Sequence, residues 1–176
     1  YKSGLYGVTL LSLMEWQNKI GYDMKYTLLK NETHYNRPTS DFKDCDVFIV
    51  YEGVSNSTRM GFTSFHLNNS THKYSMITVY TGFEKQVINI GTKSIYSLVF
   101  NFTHNTISTI IKHEFGHALG LDHKIETSEN NFKSIMHPNA ADMGNITTHD
   151  VKAVKLLYPN GFQKYYNTAK PERYEP

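Results

Sequence analysis

The stretch His113-Glu114-Phe115-Gly116-His117-Ala118-Leu119-Gly120-Leu121-Asp122-His123 constrains this chain more than any other. On an α-helix, positions four apart lie about 40° from each other around the axis, so His113 and His117 project from one face and can close on a single metal ion. Glu114 stands beside the first of them, which brings a carboxylate near the metal without making it a ligand. Gly120, three residues after His117, suits the left-handed conformation in which many helices end. A reversal there brings His123 round as a third ligand. Three imidazoles on zinc leave a fourth position for water, the pattern of a catalytic site rather than a closed structural one.

A bare HExxH also describes two surface histidines and a glutamate, but the glycine and the third histidine at their spacing weigh against that reading. Downstream lies Ser134-Ile135-Met136-His137-Pro138. Alone, Met136 would read as a methionine filling a gap in the core. Together, the HExxHxxGxxH stretch and the Ser-Ile-Met turn resemble the zinc endopeptidases called metzincins. The order of elements is similar to the matrixin branch over most of the chain. Trp16 stands where that family's first helix often carries a tryptophan, Cys45-Asp46-Val47-Phe48-Ile49 resembles its Ala-Asp-Ile strand, and Thr148-His149-Asp150-Val151 through Leu156-Leu157-Tyr158 resembles its last helix.

This resemblance implies an α+β zincin fold, a twisted mixed sheet with three main helices and a cleft between upper and lower subdomains. It implies hydrolysis of peptide bonds in protein substrates, with His113, His117 and His123 as ligands of one catalytic zinc. Glu114 would be the general base and then the acid, and Met136 the apolar floor beneath the metal. Some features depart from the pattern. No strand precedes the first helix, and the stretch from Tyr80 to His113 is longer than the family needs. His66 and His72 lack the matching aspartate of a structural zinc site and no Asp-rich calcium loop is visible, so a structural zinc or calcium is not favoured. His137 follows the methionine where matrixins often have tyrosine, and Pro138 and Lys124 argue against the astacin branch.

With 176 residues, the chain fits one catalytic domain, read as an upper subdomain over 1–120, a lower one over 121–158 and a polar tail over 159–176. A net charge of +2 with 19% charged residues leaves no basic field for nucleic acid. No apolar run is long enough to span a bilayer. A first residue other than Met suggests a trimmed chain. Six Asn-x-Ser/Thr sequons, at Asn31, Asn56, Asn68, Asn69, Asn101 and Asn145, lean toward a secreted or cell-surface protein. Cys45 is the only cysteine, expected buried at the start of a strand, and excludes an intrachain disulfide. A monomer is expected.

Periodicity predicts a helix from Gly4 to Ile20 with Leu5, Val8, Leu11, Leu13, Trp16 and Ile20 as its apolar stripe. A strand is expected to begin around Tyr26, Leu28 and Leu29. Val47 to Tyr51 reads as a central strand buried on both faces and closed by Gly53, Gly61 to Leu67 as an edge strand, and Tyr74 to Tyr80 as another strand. Val87 to Ile90 and Ile95 to Phe102 form a hairpin. Thr103 or Asn105 caps the histidine helix, the chain from Gly120 to Pro138 is irregular, and Thr147 or Thr148 caps a last helix carrying Val151, Val154, Leu156 and Leu157. An extended substrate would pair with Phe62 to Leu67, with Pro138 and Asn139 lining the pocket past the cut. Two other readings compete with a zinc endopeptidase: a catalytically silent zinc-binding cell-surface module, and a non-peptidase zinc hydrolase with the same ligands.

Overall fold

A computed structural model describes residues 2–26, 45–68, 71–124, 133–139 and 143–162. The first element is helix α1, Lys2–Ile20. Its buried stripe runs through Leu5, Leu13, Trp16 and Ile20. Leu11, expected in that stripe, is 69% exposed; five residues before Trp16, it lies about 140° away around the axis. Ser12 takes the inward place instead, its hydroxyl bonded to Val8 O at 2.8 Å and to Ser108 Oγ at 2.8 Å. Trp16 is fully buried, and its Nε1 donates to Lys112 O at 2.9 Å. That bond and a 3.2 Å ion pair between Lys112 and Glu15 tie α1 to the histidine helix.

The sheet is built on one long strand. β1 is Val47–Ser55, β2 Gly61–Asn68, β3 Thr71–Asn89 and β4 Ser94–Asn101. β1 runs parallel to β3, with Val47 opposite Ser75 and Ser55 opposite Phe83. β2 and β4 are both antiparallel to β3, β2 along its first half and β4 along its second. Gly82 and Phe83 pair with β1 and β4 at once, so β4 lies on the side of β3 opposite β1. Among the described residues β1 therefore has a single neighbour and is half-buried along Val47 to Glu52. Among the described residues β3 is the strand with neighbours on both sides, and β1, expected to be buried on both faces, is only half-buried; Gly53 does not end it. Ile77 and Val79 of β3 are fully buried against the helices.

β3 absorbs two expected elements, the strand from Tyr74 and the first arm of the hairpin. Beyond Gly82 its hairpin with β4 leaves the helices behind, so β4 is exposed throughout, Ile95, Val99 and Phe100 included. Phe83 and Phe100 stack across the hairpin at 4.9 Å. Tyr26 is not in a strand, and the expected continuation at Leu28 and Leu29 lies outside the described residues. Cys45 is half-buried rather than buried, just ahead of β1.

Helix α2, His104–Ala118, is capped by Thr103, whose hydroxyl accepts from Thr106 N. Helix α3, Thr148–Leu157, is capped by Thr147. In α3 the buried apolar residues are Ala153 and Val154, while Leu156, expected inward, is 55% exposed. The tail begins by docking: Phe162 packs edge-on against Tyr22 and Tyr158. Residues 163–176 lie outside the described set. No described helix is long and apolar enough to cross a membrane.

Candidate active site

α2 carries Ile107, Ile110 and Ile111 into the core, which fixes its rotation, and buries His113 and Glu114 in its later turns. It ends where the sequence placed the reversal. Gly120 has φ +99°, Gly120 N donates to His117 O at 2.9 Å, and Leu121 N donates to Gly116 O at 3.0 Å. Those two bonds form a Schellman closure, which needs a residue at positive φ that glycine adopts without strain. The reversal carries His123 back to the helix.

The three imidazoles converge. His117 Nε2 lies 3.1 Å from His113 Nε2 and 3.2 Å from His123 Nε2, and the remaining pair is 3.3 Å apart. Ligands at about 2.05 Å around a tetrahedral zinc are separated by about 3.3 Å. Two of the rings have fixed tautomers, because a carbonyl only accepts: His113 Nδ1 donates to Ile135 O at 2.7 Å, and His117 Nδ1 donates to Leu121 O at 2.8 Å. Each neutral ring then presents a lone pair at Nε2. Lone pairs brought this close repel unless a cation stands between them, so the donor set fits a zinc ion. Among the described residues these three form the one group able to hold a metal. Accessibility rises from buried His113 through half-buried His117 to exposed His123, so the site opens on the His123 side.

Burial, aided by the neighbouring His117, lowers the His113 pKa to about 3 and keeps the ring neutral at physiological pH. The His123 pKa is lowered too, chiefly by burial, with Asp122 acting in the opposite sense. Burial raises the Glu114 pKa to about 7, against the opposing effects of the Thr63 hydrogen bond and the charge of Arg59.

The turn at Ser134 to His137, whose Ile135 carbonyl accepts from His113, is held from several sides. Ile135 N donates to Asn145 O at 3.0 Å, Met136 N to Ser134 Oγ at 2.9 Å, and Lys124 N to Met136 O at 2.9 Å. Ser134 Oγ in turn donates to Asp150 Oδ1 at 2.7 Å. Asp150 Oδ2 accepts from the backbone and the hydroxyl of Thr147, both at 2.7 Å, closing a capping box at the start of α3. The α3 cap, the methionine turn and the His113 ring thus form one chain of hydrogen bonds.

The structure brings His113, Glu114, His117, His123 and Met136 into one region. Pro138 and Asn139 are exposed at the end of the turn. His66, weighed for a structural metal, stacks on Tyr74 at 4.3 Å; the side chain of His72 lies outside the described residues. The sequence reading passed over two residues, Thr63 and Asp150. The Thr147-x-x-Asp150 spacing was a visible capping signal. Thr63 had none beyond strand alternation, which puts it on the face of β2 that meets α2; its hydroxyl lies 2.8 Å from both Glu114 Oε2 and Glu114 O.

Comparison with known proteins gives one positive result: the matrixin family model matches residues 39–159, more than half of the chain, from ahead of β1 to just past α3. No curated protein and no solved structure gives a match.

Proposed function

The chain belongs to the matrixin family, a family of zinc metalloproteases, and from that premise we propose that it is a zinc-dependent endopeptidase in which His113, His117 and His123 hold one zinc ion and Glu114 is the general base. The observation that carries this reading is the meeting of three Nε2 atoms within 3.1–3.3 Å, beside a buried carboxylate on the same helix. When bound, zinc supplies Lewis-acid chemistry: it makes water a competent nucleophile near neutral pH and polarises the scissile carbonyl.

The side chains do the rest. Glu114 takes the proton that water loses as the new C–O bond forms, and returns it to the amine as the C–N bond breaks, so it ends as it began. The Ile135 and Leu121 carbonyls keep the rings of His113 and His117 in the tautomer that presents Nε2. Met136, fully buried and packed against Gly116 of the zinc helix, is the apolar floor that keeps water out from its side. β2 pairs with β3 alone among the described strands, so its outer edge is available for the backbone of an extended substrate, with Pro138 and Asn139 beyond the cut. We read the chain as one catalytic domain acting as a monomer on protein substrates. An extracellular location accords with three sequons, at Asn56, Asn101 and Asn145, whose asparagines are exposed.

The test is digestion of a proteome-derived peptide library by the zinc-loaded protein. Cleavage at internal bonds, lost on chelation and restored by zinc, is the expected result. A zinc-loaded chain that leaves the library intact would favour the silent surface module instead.

A further inference from the structure

We propose that Thr63 on β2 is a positioning residue for the peptidase reaction, fixing which oxygen of Glu114 faces the reacting water; this rests on the zinc-peptidase reading above. Thr63 Oγ1 lies 2.8 Å from Glu114 Oε2 and 2.8 Å from the backbone oxygen of the same residue. The single hydroxyl proton is shared between the two oxygens, and the contact to Oε2 takes from the Glu114 side chain rotamer freedom that a free carboxylate would keep. With Oε2 tied to the strand, Oε1 is the oxygen that remains to take the proton.

The placement follows from sheet register. Thr63 pairs with Ile77 and Gly61 with Val79, and both partners are fully buried on the face that meets the helices. Thr63 therefore points at α2 while its strand neighbours Phe62 and Ser64 point away. The close approach needs room at the start of the strand. A β-carbon at Gly61 would come within 2.7 Å of Ile110 Cγ2 and 3.3 Å of Glu114 Cγ. The strand proposed to bind substrate is thus also the strand that orients the base, so both are referred to one backbone.

The experiment compares zinc-loaded parent, Thr63→Val and Thr63→Ser. Valine keeps the branched shape and loses the hydroxyl; serine keeps the hydroxyl. Thr63→Val is expected to retain its zinc and a KM within about twofold of the parent while kcat falls about 10- to 100-fold, the usual cost of losing such a supporting contact. Thr63→Ser should recover most of that loss. In a crystal structure of zinc-loaded Thr63→Val, the Glu114 carboxylate should occupy more than one rotamer. A Thr63→Val variant with parental kcat, a serine variant as impaired as the valine one, or a single unchanged Glu114 rotamer would overturn the proposal and leave the peptidase reading standing. Parental activity in Glu114→Gln would overturn both.

Discussion

The sulfur of Met136 lies so close to Gly116 that a β-carbon added there would sit 2.3 Å from it, with a Trp16 ring carbon 3.4 Å from the same point. Gly116 is one residue before the second histidine of the zinc motif, in a helix interior where glycine is otherwise unfavourable. Its presence is explained by what lies across from it. The methionine turn packs onto α2 at the one place where the helix has no side chain, and this brings the Ile135 carbonyl to His113.

Gly116→Ala is therefore expected to destabilise the fold, although alanine is the better helix former. Met136 is fully buried, so its Sδ and Cε must be re-accommodated inside the packed core, and overpacking should cost about 1–3 kcal/mol. Chemical denaturation of the metal-free proteins checks this. Equal midpoints for parent and variant would contradict the packing described.

Asp150 joins two structures that are distant in sequence. Its side chain is fully buried and accepts from Ser134 and Thr147 through both oxygens. An amide offers one acceptor and turns a donor toward groups that are already donors. Asp150→Asn should thus lose about 2–3 kcal/mol of stability, measured by urea denaturation, and should also weaken zinc binding through Ser134 and Met136. Unchanged stability and affinity would sever the proposed link between the α3 cap and the metal site.

Zinc should stabilise the folded chain because the three imidazoles are gathered only there. At free zinc about a hundredfold above Kd, the gain is about 2.7 kcal/mol, seen as a rise in Tm by calorimetry. His123→Ala is the cleanest control, since His123 is exposed and its removal should leave the metal-free Tm close to the parent's. The variant should lose most of the zinc-dependent rise. A full rise would mean that zinc binds elsewhere.

Glu114 makes stability depend on pH in a stated direction. Its carboxyl is raised from an ordinary 4.5 to about 7 in the metal-free fold, chiefly by burial. The folded state holds the proton more tightly than the unfolded state, so this contribution is fully present below 4.5 and is lost as pH rises through about 7. It amounts to at most about 3 kcal/mol. Relative to metal-free Glu114→Gln, the parent should therefore lose stability between pH 4.5 and 7. A difference that stays constant or grows across this range would contradict the burial of an ionisable group there.

Much of this site was legible in the sequence because it is local: a helix period, a glycine reversal and a third histidine fall within one short stretch. The helices α1, α2 and α3 were legible for the same reason, since their caps and apolar stripes are short-range signals. Individual faces were less so. Leu11 and Leu156 match an apolar pattern but point outward, because pattern alone does not say where a stripe is centred. The place of β1 at one side of β3 depends on strand order, and an apolar run such as Val47 to Val50 suits a half-buried strand with one described neighbour as well as a fully buried centre. The exposed apolar residues of β4 read as a strand without revealing that no described helix packs over them. Thr63 was hidden for a different reason. Its partner Glu114 is far away in sequence, and only the pairing register of β2 with β3 brings the two together.

The most direct test of the account is to measure bound zinc and peptide cleavage together in the parent and in Glu114→Gln. About one zinc per chain is expected in both, with a fall of several orders of magnitude in cleavage rate for the variant. Cleavage by Glu114→Gln at the parental rate, or a parent that cuts peptides equally well after its zinc has been removed, would contradict it.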